Sequence, residues 1–384
     1  MSLTLANLLD KTHAHTIKVI AGEEYLSNPV SWAHFSESAE AATFLFRNEI
    51  AFITGIGLSE DFGLIDLMKE IYNAGPSGIL VNTGKYISKI DEECIDFCNE
   101  HKLPLLTVPW NVHLSLIMKD FCFLITKAEQ RNITLASAFK NAIHFPDQEE
   151  LFIITLSQYG FNSEYSYSAT VIKYKAGKKA GLDIDTVTEK IQNYMAFIFP
   201  NALAFSFEDN IVVIMGNLDS DTLRDIAYKL KKKTQEIVGK STFYMGVGRL
   251  TKSIRCIYKS YKQAKQIIAV SEKRKNNDYF IYYDMGLYRL LIGIEDNEII
   301  KDFLDHTLLP LKKYDDENSS TLMEFLYSFL SHNGSVKETA EELYIHRNTA
   351  IYKIHKIEEI IGMDLSLLEI RTQLILAYAL FEMY

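Results

Sequence analysis

Short apolar runs alternate with amphipathic stretches along the first third of the chain. Ile50-Ala51-Phe52-Ile53, Gly78-Ile79-Leu80-Val81 and Leu103-Pro104-Leu105-Leu106 have the length and composition of buried strands. Between them, segments such as DLMKEIYNA and EECIDFCNEH carry apolar residues at helical intervals. Because strands alternate with helices, we predict an α/β domain with a largely parallel sheet over residues 1–120.

The pattern becomes one continuous helical stretch from Leu114 to Phe145, with no Gly or Pro before Pro146. We interpret residues 121–146 as a helical connector. Residues 147–290 return to mixed structure, with a hairpin predicted over LAFSFEDNIVVIMG and a last strand over FIYYDM. This mixture predicts a central α+β domain.

The stretch from Ser335 to Gly362 carries two short amphipathic segments joined by a tight connection. Ser335 stands at an N-cap position and Glu338 completes a capping box, so we expect a helix to begin near Val336. The second segment ends at Gly362, and its apolar stripe consists of Ala350, Ile354, Ile357 and Ile361, reinforced by Ile351. Two such helices around the three-residue turn Tyr344-Ile345-His346 predict a helix-turn-helix.

Charge separates this segment from an ordinary helical hairpin. No carboxylate occurs between Leu343 and Ile357, although the whole chain has a formal net charge of -10. Cationic, amide and hydroxyl side chains at a helix start suit the major groove of DNA. We therefore predict duplex DNA as a partner. The predicted contact residues are Ser335, Thr339, His346, Arg347, Asn348, Thr349, Tyr352, Lys353 and Lys356.

Two alternatives stay open for these residues. The segment can be a solvated helix face in a helical bundle, with no nucleic-acid partner. If it does bind DNA, any one of its side chains can contact a phosphate, which positions the protein, or a base edge, which reads sequence.

Three parts of the chain resemble one family of bacterial transcription factors, the PucR (purine catabolism regulator) family. Its C-terminal domain, with an Ile-His-Arg-Asn-Thr core, resembles LYIHRNTAIYKIHKIEEIIGMDL and the run RTQLILAYAL after it. Its N-terminal sensor domain resembles TLANLLDKT, VIAGEEYLSNPVSWAHFSE, FITGIGL, SGILVNTGKYISKI and LPLLTVPW, in that order. Its degenerate GGDEF-like module is similar to YMGVGRLTKSIRCIYKSYKQAKQIIAVSEK and FIYYDMGLYRLL.

The resemblance implies a ligand-responsive, sequence-specific DNA-binding regulator of purine or other nitrogen-compound metabolism. It implies a small effector, such as a purine degradation product or an amino acid, and makes RNA polymerase a further candidate partner. One residue departs from the pattern, because Tyr344 stands where related motifs often have Gly. A left-handed backbone there would cost on the order of 1 kcal/mol.

Pattern and resemblance together predict an α/β multidomain chain. We place a PucR-type α/β sensor domain at residues 1–120 and the helical connector at 121–146. A degenerate GGDEF-like α+β domain follows at 147–290. An all-α DNA-binding domain occupies 291–384, with its helix-turn-helix at 335–362.

Composition agrees with several hydrophobic cores, since 48% of the 384 residues are hydrophobic. No apolar run approaches the roughly 20 residues of a membrane span, and MSLTLANLLDKT lacks the features of a signal peptide. We therefore expect no membrane partner and a cytoplasmic protein. The four cysteines show no paired framework. Because the chain is acidic, its affinity for DNA has to be local.

The central domain raises an enzyme hypothesis that its residues do not support. A diguanylate cyclase needs a glycine pair at its hairpin and carboxylates there and on the first strand to hold divalent metal. Here the hairpin reads Phe207-Glu208-Asp209-Asn210-Ile211, and the first strand offers Lys173 and Tyr174. We predict no catalytic residue, no cofactor and no enzyme activity. The alternative is a nucleotide-binding signalling protein of the GGDEF class with weak or no cyclase activity.

Two other signals have bland explanations. Cys94, Cys98 and His101 have helical spacing that can suit zinc, but with Ile90 and Phe97 they also form the buried stripe of one helix, which we favour. Gly246-Val247-Gly248 is a weak phosphate-loop signal that a tight strand-to-helix turn explains better. We predict no metal site.

A small effector would fit best at the carboxyl ends of the sensor strands, where open α/β sheets place ligand crevices. The alternative is that these are turn residues without a ligand. The candidate ligand-binding residues are Thr54, Gly55, Asn82, Thr83 and Trp110.

We also expect a homodimer or larger even oligomer, because one helix-turn-helix reads too few base pairs for strong specific binding. Two surfaces can pair. One is the helical stretch from Leu114 to Phe145, which we favour. The other is the apolar terminal helix with Leu374, Ile375, Ala377, Tyr378 and Phe381.

Overall fold

A computed structural model describes residues 3–11, 16–175, 182–275, 278–294 and 296–383. The chain divides into two compact units. Unit 1 comprises Met1–Tyr165, Asp183–Phe207 and Val213–Asn217, and unit 2 comprises Ser166–Leu182, Glu208–Val212 and Leu218–Tyr384.

Strands and helices alternate through both units, and the described elements after β9 are all helical. The strands are β1 (Lys18–Ala21), β2 (Trp32–Phe35), β3 (Glu49–Ile53), β4 (Gly78–Thr83), β5 (Leu105–Pro109), β6 (Tyr167–Lys175), β7 (Ala202–Phe207), β8 (Asn210–Gly216) and β9 (Thr242–Val247). The helices up to the end of β9 are α1 (Leu5–Lys11), α2 (Ala39–Ala42), α3 (Leu64–Asn73), α4 (Glu92–Glu100), α5 (Leu114–His144), α6 (Ile153–Gln158), α7 (Ile184–Ile198) and α8 (Ser220–Val238). The later helices are α9 (Ile257–Arg274), α10 (Tyr288–Leu291), α11 (Asn297–Asp305), α12 (Leu309–Asn318), α13 (Leu322–Ser331), α14 (Val336–Glu342), α15 (Arg347–Ile361) and α16 (Leu368–Met383).

The sheet of the predicted sensor domain, called the sensor sheet below, lies in unit 1 and has five strands in the order β1-β5-β4-β3-β2. β2 to β5 run parallel, with Ile50 opposite Gly78 and Ile79 opposite Leu105, and β1 joins β5 antiparallel. Alternate strand residues point to opposite faces. Ile50 and Phe52 therefore enter a core with α1 and α5, whereas Ala51 and Ile53 enter a core with α3 and α4. The predicted largely parallel α/β domain is confirmed.

The 31-residue helix α5 is continuous from Leu114, as its unbroken pattern predicts. Its first turns belong to the sensor core, where Phe121 and Ile125 are buried. Further along the helix, the ring of Phe139 contacts the rings of Phe161 and Phe205, which also belong to unit 1. The two ends of α5 therefore pack on different parts of the same unit.

In unit 2, β6 pairs antiparallel with β9, with Thr170 opposite Val247, and α9 packs on both strands. A Cβ on Gly246 or Gly248 would lie about 2 Å from a backbone carbonyl oxygen of α9. These glycines therefore permit close packing of a helix on a strand, which replaces the expected tight turn as their explanation.

The strand predicted over FIYYDM does not form. Phe280 and Ile281 are buried, but Ile281 makes only an isolated bridge to Val247, and Tyr282–Asp284 is a 3-10 helix. The apolar residues are drawn into the core while the backbone turns away from the sheet.

From α11 onward, every described element is helical. Leu326, Ala350, Ile357, Leu374 and Ala377 are buried in one core that α13, α15 and α16 share. This confirms the predicted all-α C-terminal domain. Within the described part of the chain, every helix is too short or too polar to cross a membrane.

Candidate nucleic-acid interface

Helix α14 begins at the predicted position, but only half of the expected capping box forms. The hydroxyl of Ser335 accepts a hydrogen bond from the amide of Glu338 at 3.4 Å. The reciprocal bond is replaced, because the Ser335 amide donates to the carbonyl of His332 at 2.9 Å. Ser335 therefore serves as the N-cap of this helix.

The turn between the two helices is a Schellman-type C-cap centred on Tyr344. Its φ is 53°, in the left-handed region that Gly favours, and related motifs often have Gly at this position. The Tyr344 amide donates to the carbonyl of Glu341 at 3.3 Å, and the Ile345 amide donates to that of Ala340 at 3.0 Å. The side chain of Tyr344 is 96% exposed, so no packing offsets the backbone strain.

Helix α15 begins with an unusual cap. His346 is its N-cap, and the ring Nδ1 accepts a hydrogen bond from the amide of Asn348 at 3.2 Å. Arg347, Asn348 and Thr349 follow in the first turn and are exposed. The helix ends before Gly362, whose φ is 69°. The predicted boundaries of the second helix are confirmed.

The buried side of α15 is narrower than predicted. Ala350 and Ile357 are fully buried, and Ile354 and Ile361 are partly buried against the same core. Ile351 does not reinforce this stripe, because its helical position turns it outward and leaves it exposed. The prediction for Ile351 was wrong.

Thr339 is fully buried, and its hydroxyl donates to the carbonyl of Ser335 at 2.8 Å. This hydrogen bond ties the buried side chain to the first turn of α14. Because its side chain is buried, Thr339 is not exposed for a DNA contact, which corrects its prediction as a contact residue.

The two lysines of α15 point toward neighbouring helices. The ammonium of Lys353 lies 5.7 Å from the ring centre of Phe325 in α13. That of Lys356 donates to Glu359 at 2.9 Å and lies 5.5 Å from the ring centre of Tyr314 in α12. The hydrogen bond with Glu359 raises the pKa of Lys356. Both charges are therefore less available to DNA than sequence spacing indicates.

Two exposed side chains of this surface were not predicted as contacts. Tyr344 projects from the turn, and His355 lies seven residues after Asn348 on the same helical face as Tyr352. His355 Nδ1 lies 3.1 Å from a carboxylate oxygen of Glu358. The helical spacing from Asn348 is sufficient to predict that His355 lies on this face. The exposure of Tyr344 could not be predicted in this way, because it depends on the left-handed turn.

The predicted ligand residues lie at one edge of the sensor sheet, as expected from parallel strands. Thr54 and Gly55 follow β3, and Trp110 follows β5. However, the carboxylate of Glu37 already accepts hydrogen bonds from the amides of Thr54 and Gly55, at 2.7 and 3.1 Å. Sequence reasoning missed Glu37, because only the parallel pairing of β2 with β3 brings it there.

The polar residues of β4 serve the neighbouring strand. Asn82 is buried, and its side-chain amide donates to the carbonyls of Val108 and Pro109 at 3.3 and 3.1 Å. The hydroxyl of Thr83 donates to Val108 at 3.4 Å. Trp110 instead remains 40% exposed, with its ring centre 5.4 Å from that of Tyr86. Trp110 is therefore the most accessible member of the set.

The turn before β8 has no glycine, as the sequence indicates, and both of its residues are left-handed. Glu208 and Asp209 have φ values of 48° and 57°. The Glu208 carboxylate accepts hydrogen bonds from Tyr261 at 2.9 Å and from Lys265 at 2.7 Å. Burial and this carboxylate raise the pKa of Tyr261, so the phenol remains a donor. A lysine thus neutralises the acid at this turn.

Helix α4 buries the cysteines that were weighed as zinc ligands. Burial raises the pKa of Cys94 to about 11 and that of Cys98 to about 12, so neither is a thiolate at neutral pH. His101 Nδ1 lies 2.8 Å from the carbonyl oxygen of Phe97, and their rings stack. Among the described residues, no group of three or more His, Cys, Asp or Glu side chains is placed to hold a metal ion.

Comparison with known proteins identifies three domains along the chain. Residues 7–125 match the Purine catabolism regulatory protein-like family, and residues 146–270 match the GGDEF-like domain. Residues 322–380, which contain α14 and α15, match the PucR C-terminal helix-turn-helix domain.

Similar proteins include three bacterial regulators. The Proline-responsive transcriptional activator PutR of Bacillus subtilis (strain 168) is 28% identical over 214 residues, which are 54% of this chain and 52% of PutR. The Carbohydrate diacid regulator of Escherichia coli (strain K12) is 26% identical over 52% of this chain and 54% of its own length. The Purine catabolism regulatory protein of Bacillus subtilis (strain 168) is 28% identical over 33% of this chain and 24% of its own. The match to the first two spans about half the length of each relative.

Proposed function

Because the chain belongs to the PucR family of bacterial regulators, we propose that it is a transcriptional regulator that binds duplex DNA through α14 and α15. In this proposal α15 enters the major groove with its first turn. Arg347 and Asn348 then face base edges, while Thr349 and Tyr352 face the sugar-phosphate backbone.

One observation carries the proposal. The first turn of α15 is exposed at Arg347, Asn348 and Thr349, and its polar groups are those that suit guanine, adenine and phosphate oxygen atoms. The ring of His346 accepts a hydrogen bond from the backbone amide of Asn348. This cap does not use the side-chain amide of Asn348, which stays available for a base. The exposed side chain of Arg347 supplies the local positive charge that an acidic chain needs to bind DNA.

The proposed regulator responds to a small metabolite. PutR is named as proline-responsive, and another relative is named for purine catabolism. We therefore place the effector among amino acids and purine degradation products. The carboxyl edge of the sensor sheet is its proposed site, with Trp110 as a side wall. Glu37 favours a ligand with a donor or a cationic group there, because it already occupies the amides of Thr54 and Gly55.

We further propose that the central domain does not make cyclic dinucleotides. The regulator names of the relatives support this assignment, as does the pairing of Glu208 with Lys265. As a DNA-binding regulator the protein would act in the cytoplasm, as a homodimer or larger even oligomer, and could contact RNA polymerase.

Selection from a random duplex library tests DNA binding with full-length protein. We expect a specific site to emerge, and Arg347→Ala to weaken binding to it by about 1–3 kcal/mol while relaxing selection at one base pair. Lys313→Ala removes an exposed lysine of α12 outside the helix-turn-helix and serves as the matched control. If Arg347→Ala selects the same site with unchanged affinity, α15 is not the recognition helix.

Lys356→Ala tests whether the ammonium of Lys356 contacts a DNA phosphate or stays paired with Glu359. A lysine that contacts phosphate contributes about one unit to the slope of log affinity against log salt. Because Glu359 holds Lys356, we expect Lys356→Ala to change this slope by clearly less than one unit. A full unit of change would mean that the ammonium leaves Glu359 for DNA.

A further inference from the structure

Two cavities in unit 2 share one wall. The first, of about 290 Å³, lies between the end of α9 and the segment 279–288. The second, of about 250 Å³, lies between that segment and the helices α13 and α16. Arg274, Leu287 and Tyr288 line both cavities. Typical small-molecule pockets are about 300–1,000 Å³, and both cavities lie just below this range, so each can hold only a ligand with few atoms.

Three donors converge on one carboxylate oxygen in the shared wall. Nε and Nη2 of Arg274 lie 2.9 and 2.7 Å from Oε2 of Glu382, and the hydroxyl of Tyr288 donates to the same oxygen at 2.6 Å. The guanidinium also lies 4.6 Å from the centre of the Tyr288 ring. Charge-assisted bonds of this kind are strong and specific for carboxylates. The protein's own Glu382 therefore demonstrates which chemical group this wall binds.

This wall remains accessible from solvent. The side chains of Arg274 and Glu382 are 29% and 27% exposed. Around them the cavities are mainly apolar or aromatic, with Met285 in the first and with Tyr327 and Ile375 in the second. Asp284 also lines the first cavity, but Arg224 pairs with both of its oxygens, at 2.9 and 2.8 Å, and so offsets its charge.

We propose that this wall is a binding site for a small organic carboxylate with an apolar or aromatic body. The carboxylate of the ligand takes the place of Glu382 on Arg274 and Tyr288, and its body fills one of the two cavities. Such an exchange leaves no donor unpaired, because one carboxylate replaces another while Glu382 turns to water.

Packed side chains connect Glu382 to the DNA-binding helices, so movement of Glu382 can change how those helices pack. Glu382 and Tyr378 lie one turn apart on α16, and the Tyr378 hydroxyl donates to the carbonyl of Met323 in α13 at 2.7 Å. Two residues further, Phe325 lies beside the ammonium of Lys353 in α15. Ligand binding should therefore change DNA affinity. This last step rests on the proposed function, whereas binding of the carboxylate does not.

Benzoate, with benzamide as its neutral counterpart, tests the site by calorimetry on the full chain. We expect benzoate to bind and benzamide not to bind. Arg274→Gln and Glu382→Gln both break the ion pair, but they should act in opposite directions. Arg274→Gln should weaken benzoate binding about tenfold or more by removing the cation, whereas Glu382→Gln should strengthen it by removing the competing carboxylate.

A wall that serves only as a structural ion pair would make the two variants behave alike, and that result would overturn the proposal. Equal binding of benzoate and benzamide, or no benzoate binding to either wild type or Glu382→Gln, would also overturn it. Tyr288→Phe keeps the ion pair and removes one donor, so a several-fold loss of benzoate affinity is expected from it. Far-UV circular dichroism checks that each variant is folded.

DNA affinity with and without benzoate is measured separately by fluorescence anisotropy. We expect benzoate to shift the DNA affinity of wild type and not that of Arg274→Gln. If benzoate binds without altering DNA affinity, the coupling is overturned and the site stands. If no DNA is bound under any condition, the proposed function fails while the benzoate measurements still decide the site.

Discussion

The backbone conformation of Tyr344 ends the first helix of the motif and sets the direction in which the chain continues to the second. Its left-handed conformation turns the chain, and its amide and that of Ile345 satisfy the last carbonyls of α14. A residue with a Cβ pays about 1–2 kcal/mol for this conformation, which Gly adopts freely. Because the phenol is exposed, the chain bears this cost without a packing gain.

Tyr344→Gly should therefore stabilise the helix-turn-helix by about 1 kcal/mol, less the extra entropy that Gly brings to the unfolded chain. Hydrogen exchange of α14 and α15 peptides in the full-length protein measures this local stability. Tyr344→Ala removes the phenol but keeps the Cβ, so its exchange should not slow. Equal slowing in both variants would assign the effect to the phenol rather than to the backbone.

Elements with a long and regular pattern were predictable, whereas those that depend on a distant partner were not. The unbroken stretch of α5 and the capped segment of α15 carry their own boundary signals. The segment FIYYDM carries strand-forming residues, but it forms no ladder with a neighbouring strand. Local sequence gives no information about that lack of a partner.

The candidate site divides in the same way. Exposure of Arg347, Asn348 and Thr349 follows from helical spacing, because Ala350 beside them is buried. The burial of Thr339 and the pairing of Lys356 with Glu359 depend on tertiary packing and on side-chain geometry. Glu37 is also out of reach of sequence reasoning, since it meets Gly55 through strand pairing.

Helix α4 makes the predicted sensor domain sensitive to alkaline pH. The pKa of a buried thiol is raised because burial disfavours the thiolate, and it reaches about 11 for Cys94 and about 12 for Cys98, against 9.0 for an unperturbed thiol. The folded form therefore holds protons that the unfolded chain releases above pH 9. This contribution to stability is complete below that pH and is lost as the pH rises through 11.

Urea unfolding between pH 8 and 11 should show this loss. Trp32 and Trp110 are the two tryptophans of the chain, and both belong to unit 1, so their fluorescence reports on the sensor domain. We expect the unfolding midpoint to fall above about pH 9. The fall should be smaller when Cys94 and Cys98 are replaced by Ala. Cys256→Ala, a change in unit 2, should behave as wild type.

The turn before β8 predicts how the central domain behaves toward GTP. Phosphoryl transfer needs carboxylates that hold a divalent ion, but Lys265 pairs with Glu208, and Lys173 pairs with Glu272 at 2.7 Å. Purified protein with GTP and Mg²⁺ should yield no cyclic dinucleotide by mass spectrometry, even when Lys265→Ala releases Glu208. Product that disappears in Glu208→Gln would contradict this assignment.

At the scale of the whole molecule, we expect two copies of the chain to bind DNA together, because one helix-turn-helix reads too few base pairs for strong specific binding. On the terminal helix α16, Leu374 and Ala377 are buried in the C-terminal core, whereas Leu368 and Ile375 remain 71% and 45% exposed. Helix α5 keeps a row of large apolar side chains outside, with Phe123 64% and Ile133 63% exposed. Leu116 precedes Phe123 by seven residues and so lies on the same face.

We therefore expect α5 to pair with its copy, so that two recognition helices can reach successive major grooves about 34 Å apart. Replacing both Phe123 and Ile133 by Asp should convert the dimer to a monomer in light scattering at micromolar concentration, because each new carboxylate would be buried in the interface. The same variant should lose affinity for a two-fold symmetric or repeated site far more than for a single half-site, since the second recognition helix no longer binds in the same event. Phe46→Asp removes an equally exposed ring outside α5 and should leave both measurements unchanged. A wild-type protein that remains a monomer both free and on DNA would contradict the pairing of α5.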